Sequence, residues 1–190
     1  MKQSEALPDD HHNLYAQLYD TGIMQFGHFS AGEYSLPYHL DFSLLPSYPD
    51  VLRALANALS RRISLVPHQR ILCDLLSLPA AVIIGQEYRI PVVYEKAATG
   101  SAAHDLAGAY DIGHPTTAIM SSPGQAAERT VLRSRSVGLD VRETLFLFSE
   151  RSHPQAITDL ESCITVLEST GKVTKHQMRT IEVWLAKQTG

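Results

Sequence analysis

Apolar positions along the chain switch between helical and extended spacing in an order that predicts a mixed α/β domain. Leu14, Tyr15, Leu18 and Tyr19 recur at helical intervals after Asp9 and Asp10, either of which can serve as N-cap. Gly22, Gly27 and Gly32 then punctuate a stretch rich in Phe and Tyr, which suits short strands and turns. Pro49 and Asp50 open a second helix with Val51, Leu52, Leu55, Ala56 and Leu59 on one face, and Arg61 and Arg62 are expected in its last turn. Leu78 to Tyr88 reads as a helix, Ile90 to Tyr94 as a buried strand, and Thr116 to Met120 as another strand. Gln125 to Ser136 reads as a helix ending near Gly138, followed by a strand from Val141 to Phe148 that is apolar from Leu145 on. Strand, helix, strand at this spacing argues for parallel pairing.

The last third is helical by the same criterion. Ile157, Leu160, Ile164 and Leu167 are expected on one helix face, with Gly171 as its C-terminal stop. Thr174-Lys-His-Gln177 has the form of a capping box and opens a final helix with Met178, Ile181, Trp184 and Leu185 turned inward. Residues 70–77 fit either a strand with its loop or a helix face. Residues 1–10 read as a flexible tail and residues 11–190 as a single domain, with no repeat or linker.

Composition narrows the function. The 190 residues are 44% hydrophobic and 19% charged, enough for one domain with its own core. A net charge of -4 without clustered Lys and Arg argues against a nucleic-acid partner. Apolar runs such as Leu145 to Phe148 are too short to cross a bilayer, and the first residues lack the apolar core of a secretory signal. Two cysteines ninety positions apart, Cys73 and Cys163, suit free thiols in the cytoplasm. Cys73 lies among Ile71, Leu72 and Leu75, which favours an inert buried thiol over a nucleophile. The nine histidines, His11 and His12 included, show no spacing that closes a metal site, so none is expected.

Tyr19 to Pro49 contains Tyr-Asp-Thr-Gly-Ile-Met-Gln-Phe-Gly-His-Phe, then Pro-Tyr-His-Leu-Asp, then Leu-Leu-Pro-Ser-Tyr-Pro. This segment resembles the amino-terminal part of orotate phosphoribosyltransferases. Leu78-Pro79, Ile90 to Tyr94, Val137 to Val141, Leu145 to Phe148 and Leu167 to Thr174 extend the resemblance at matching intervals, from Leu18 to Leu185. The resemblance implies a type I phosphoribosyltransferase-like α/β fold: a parallel sheet flanked by helices, a small N-terminal hood and a C-terminal helical pair. It also implies a homodimer.

The elements that carry function in that family depart here. Its acidic pair, which holds the ribose hydroxyls, aligns with Ala118 and Ile119, and no Asp or Glu occurs between Asp111 and Glu128. The following phosphate turn survives in part as Ser121-Ser-Pro-Gly-Gln125, although Pro123 removes one N–H donor. The Gly-rich pyrophosphate loop aligns with Leu72-Cys-Asp-Leu-Leu76, where Leu at both ends obstructs approach and Asp74 repels an anion. Lysines are missing between Lys2 and Lys96 and between Lys96 and Lys172. The mobile loop implied at Ala97 to Tyr110 offers a single titratable base, His104. An arginine that reads the orotate carboxylate corresponds to Arg151 after a shift of one position.

Ser121, Ser122, Gly124, Gln125 and Lys96 are therefore the candidate phosphate or anion ligands, and His104 and Arg151 the candidate catalytic groups. The expectation is a protein that has lost PRPP-dependent transfer and acts as a non-catalytic binding, regulatory or scaffold module, with a nucleotide or phosphate ligand and an unidentified protein partner. The alternative is a divergent orotate phosphoribosyltransferase that converts orotate and PRPP to orotidine 5′-phosphate. No cofactor is expected, with Mg²⁺ implied if transfer is retained. A third reading places another reaction in the same crevice, with His104, Asp105 and Arg151 as candidates.

Overall fold

The computed structural model describes residues 9–31, 34–96 and 106–187. The first helix, α1 (Asp9–Asp20), runs into a hairpin of β1 (Met24–Ala31) and β2 (Tyr34–Leu40). The two strands pair antiparallel from Met24↔Leu40 to Ala31↔Tyr34, with a bulge between Phe26 and Phe29. Asp9 and Asp10 already lie within α1 and so do not precede it as caps. A 3-10 turn at Phe42–Ser47 follows the hairpin, capped by Asp41, whose Oδ1 accepts bonds from the Ser43 N–H at 3.0 Å and the Ser43 hydroxyl at 2.6 Å. Next comes α2 (Pro49–Ser60), with proline in its first turn where no N–H is needed.

Arg61 and Arg62 fall just beyond α2 rather than in its last turn. The guanidinium of Arg62 instead reaches across the molecule and donates to the carbonyls of Pro154 and Ala156, both at 2.9 Å. The segment left open by pattern alone resolves as strand and turn: β3 (Arg70–Cys73), then residues 74–77, then α3 (Leu78–Tyr88). Along β3 every residue from Ile71 to Cys73 is buried, as a central strand covered on both faces requires.

The main sheet has the order β5-β4-β3-β6-β7-β8. Its members are β3, β4 (Val92–Glu95), β5 (Leu106–Ala107), β6 (Pro115–Met120), β7 (Asp140–Ser149) and β8 (Ala156–Asp159). All neighbours pair parallel except β4 and β5, which run antiparallel at the edge. Gly108 follows β5 at φ +125°, and a Cβ there would lie 2.4 Å from the Val92 carbonyl oxygen, so the edge closes against β4 only with glycine.

α4 (Gln125–Ser136) links β6 to β7 with the predicted bounds, and its last turn carries Arg133 and Arg135. α5 (Leu160–Ser169) and α6 (Lys175–Lys187) complete the chain. Ile157 belongs to β8 and not to the α5 face. The capping box forms as read: Thr174 N–H donates to Gln177 Oε1 at 2.9 Å, and Gln177 N–H donates to Thr174 Oγ1 at 3.2 Å. Gly171 sits at φ +72° after α5, and Lys172 N–H closes on the Leu167 carbonyl at 2.8 Å.

Alternation along the strands splits the core between the two faces of the sheet. Ile71, Cys73, Ile119, Leu145 and Leu147 join the larger core with the buried faces of α1, α2, α3 and α5. Leu72, Val93, Ala118, Met120 and Phe146 point the other way, where Ala127 and Val131 of α4 cover them.

One connection is unusually short. β7 and β8 are parallel neighbours, yet residues 150–155 alone join them. Parallel neighbours ordinarily need a dozen or more residues. Six residues reach at most about 20 Å when extended, enough to return along a four-residue strand. The fork from Arg62 to Pro154 and Ala156 pins the end of that return. This loop is the one that carries Glu150, Arg151 and His153 to the site.

Candidate functional site

The C-terminal ends of β3, β6 and β7 meet beneath the hairpin and enclose a crevice of about 640 Å³. Its wall includes Tyr38 of β2, Leu76, Ser121, Ser122, Glu150 and Arg151. A crevice at the carboxyl ends of parallel strands is where α/β sheets bind ligands, because helix N-termini and loops converge there.

Two loops face each other at the floor of this region. Asp74 closes β3, and Ser121 closes β6, the strand paired with it. The Asp74 carboxylate ties them together. Its Oδ1 accepts from Ser77 N–H and Ser77 Oγ, both at 2.8 Å, and its Oδ2 accepts from Ser121 N–H at 2.7 Å and Ser121 Oγ at 2.8 Å. The single Ser77 hydroxyl proton is shared between Asp74 Oδ1 and the Ile119 carbonyl, which lies 2.6 Å from Oγ. Three donors, with a fourth shared with the Ile119 carbonyl, make a built-in anion site that the chain fills with its own side chain.

Leu72, expected at one end of the pyrophosphate loop, is instead a fully buried strand residue paired with Val93 and Ala118. The turn proper is residues 74–77, and among the described residues none of them takes positive φ, so no glycine is required there. Asp74 sits in the loop where repulsion was expected, but its charge is directed at Ser77 and Ser121. Ala118 and Ile119, aligned with the acidic pair, are fully buried on opposite faces of the sheet. The positions from which carboxylates would hold Mg²⁺ and ribose are apolar, and Asp74 is engaged elsewhere. The described residues do not fit that ion.

Beyond Ser121 the backbone turns into α4. Gly124 is its N-cap at φ +138°, a conformation that strains any residue with a Cβ, and nothing stands within 4 Å of where that Cβ would be. The N–H groups of the first turn of α4 have no helix partner and point outward, which favours an anion. Ser122, Gly124 and Gln125 are all exposed there.

The opposite wall is polar. Tyr38 donates its hydroxyl to Glu150 Oε1 at 2.7 Å, joining the hairpin to the β7–β8 loop. Burial, with the Glu150 carboxylate beside it, pushes the Tyr38 phenol above its ordinary range. The ring of Tyr38 also meets Phe148 and, edge to face, Trp184 of α6. The Arg151 guanidinium donates to the Leu185 carbonyl near the C-terminal end of α6, where a cation complements the helix dipole.

The candidate residues thus separate into groups. Ser121, Ser122 and Arg151 share one crevice, and Gly124 and Gln125 stand at its edge. Lys96 is exposed at the end of β4, with β3 between it and β6, and does not line the crevice. His104 and Asp105 lie outside the described residues. Cys73 is fully buried, and burial raises its thiol far above the usual range, as expected of an inert thiol. Reading the sequence missed the double role of Asp74, although Asp74-x-x-Ser77 is a recognisable side-chain-to-backbone turn. It also missed the Tyr38–Glu150 bond, whose partners are 112 positions apart and give no local signal.

No protein-family model and no curated protein sequence matches the chain. Solved structures do. UMP synthase of Leishmania donovani superposes with a TM-score of 0.78 at 21% identity over 93% of this chain, which spans 42% of that one. Orotate phosphoribosyltransferase of Francisella tularensis gives 0.64 at 14% identity, covering 91% of this chain and 96% of its own. The Aeropyrum pernix orotate phosphoribosyltransferase gives 0.63 at 15% identity, covering 85% and 99%. The chain therefore has the type I phosphoribosyltransferase fold, and it spans less than half the length of the UMP synthase it resembles. Among the described residues no helix is long and apolar enough to cross a membrane.

Proposed function

We propose that this orotate phosphoribosyltransferase-like chain has given up PRPP-dependent transfer and works as a non-catalytic binding, regulatory or scaffold protein. The observation that carries the reading is the Asp74 carboxylate bonded to Ser77 and Ser121. Transfer from a pyrophosphorylated sugar proceeds through a cationic ribose and an anionic leaving group, so the site must place positive charge around pyrophosphate. Here a fixed negative charge takes the donors that an incoming anion would use. Apolar Ala118 and Ile119 and the displaced Lys96 support the same reading.

The crevice remains about 640 Å³, and the first turn of α4 favours a single phosphate, so a small ligand such as a nucleotide suits it. Exposed Leu75, Leu76 and Val82 around the start of α3 support pairing with a second copy, which sedimentation at several concentrations tests. The cytoplasm is the setting proposed for it. Arg151 within the crevice favours the second reading, a divergent orotate phosphoribosyltransferase.

Calorimetry with PRPP and Mg²⁺, with and without orotate, separates the two. No binding of PRPP and no release of pyrophosphate are expected. Release of pyrophosphate that requires both PRPP and orotate would overturn the non-catalytic reading.

A further inference from the structure

A second concavity of about 350 Å³ lies outside the crevice, where α6 crosses the hairpin. α6 contributes His176, Arg179, Val183, Trp184 and Lys187 to it, and β1 contributes His28. Positions 176, 179, 180, 183, 184 and 187 recur at three- and four-residue intervals, so they form one stripe on the helix. The opposite stripe, Ile181 and Leu185, is buried in the core. The stripe on the groove is therefore free of any packing role at its charged positions: His176, Arg179 and Lys187 are exposed, and Val183 keeps half its surface in solvent.

Among the described residues lining the groove none is acidic, in a chain whose net charge is -4. None of the four basic side chains there has a hydrogen-bond or ion-pair partner among those described for the molecule, unlike Lys172, which pairs with Asp20, and Arg142, which pairs with Asp140. Lys172 and Arg142 find carboxylates and Arg62 finds carbonyls, whereas the basic side chains of the groove face no described partner of either kind. The order along the helix matters as well. Basic groups at both ends flank an apolar middle of Val183 and Trp184, and the stripe from His176 to Lys187 is about 16 Å long at the rise of an α-helix. One small anion cannot bridge that length. An extended peptide of about five residues can, at the rise of a strand.

We propose that this groove docks an acidic peptide segment of a partner protein, with acidic residues at both ends and an apolar side chain against Trp184. Charge complementarity selects the partner and speeds its approach, and the Trp184 ring supplies the desolvated contact that holds it. The site is distinct from the crevice, but Trp184 packs edge-on to Tyr38 with ring centroids 5.5 Å apart at 74°, so it forms part of the wall between the two.

Trp184 is the one tryptophan in the sequence, so its fluorescence reports directly. The whole chain is titrated with acetyl-Glu-Asp-Leu-Asp-Glu-amide, with the same peptide carrying Lys at every acidic position, and with UMP and pyrophosphate. Saturable change with the acidic peptide is expected, weakened about tenfold in Arg179→Glu/Lys187→Glu and unchanged within about twofold in Lys175→Glu, which lies outside the groove lining. Should the double variant misfold, salt serves instead: affinity of the unaltered chain is expected to fall severalfold as ionic strength rises past the range where exposed charges are screened. No saturable change up to about 2 mM peptide overturns the proposal. Equal binding of the basic peptide, or affinity indifferent to salt, overturns it too. So does UMP or pyrophosphate binding more tightly than the peptide and displacing it, which would make the groove a small-anion pocket.

Discussion

Replacing Asp74 by alanine removes an acceptor that serves four donors on two loops. Not all four count equally. Ser77 Oγ keeps its bond to the Ile119 carbonyl, and Ser121 is half-buried, so its hydroxyl finds water. The two N–H groups remain, and that of the fully buried Ser77 is left without a partner. Hydrogen bonds to a charged group contribute about 1.5 kcal/mol each at the low end, which sets the loss at about 3 kcal/mol. For a domain of this size that lowers Tm by about 6–12 °C. Asn is no remedy, because its amide turns a donor toward one of the N–H groups. The variant also gains a vacancy with free donors. Pyrophosphate at about ten times its Kd should then restore about 1.4 kcal/mol, a few degrees, while leaving the unaltered protein where it was. Differential scanning calorimetry with and without pyrophosphate reads both effects. A variant that melts within about 2 °C of the parent, or a parent that pyrophosphate stabilises equally, would refute the idea that Asp74 is the resident anion.

Tyr38→Phe keeps the ring against Phe148 and Trp184 but loses the bond to Glu150, and a loss of about 1 kcal/mol in urea unfolding is expected; an unchanged midpoint sinks the claim that this bond holds the hairpin to the β7–β8 loop. The bonds from Ser43 hold the Asp41 carboxyl below its ordinary range. A folded value below the unfolded one means that its contribution is present above the unfolded value near pH 3.9 and is lost as pH falls through the folded value, so the Tm gap between the parent and Asp41→Asn should shrink toward acid pH, and a gap independent of pH contradicts the cap. Cys73 and Cys163 are both fully buried and their thiols are pushed up by that burial, so a thiol reagent should label neither until the protein unfolds; prompt labelling of either in the native state would show an opening that the packing does not provide.

Elements set by local pattern were legible in the sequence. α3, α4 and the capping box at Thr174 follow from periodicity, a proline at the first turn and a reciprocal side-chain cap, all within a few residues. β8 was not, because its four residues carry no periodicity of their own and only six residues separate it from its parallel partner, fewer than such pairs ordinarily need. Ile157 was assigned to the next helix for the same reason: an apolar residue three places before Leu160 satisfies either reading. At the site, the apolar character of two positions was legible, since a sequence shows plainly that Ala118 and Ile119 cannot ionise. What Asp74 does was not, because its effect depends on Ser121 arriving beside it through strand pairing of β3 with β6.

The carboxylate of Asp74 makes the joint between the β3 and β6 loops independent of any free anion. A protein held together by a diffusible metabolite is as stable as the supply of that metabolite, and starvation exposes it to proteases. An anion tethered by its own backbone is present at a local concentration that no change in metabolism can dilute. The joint between the β3 and β6 loops should therefore hold whether or not a free anion is supplied to it.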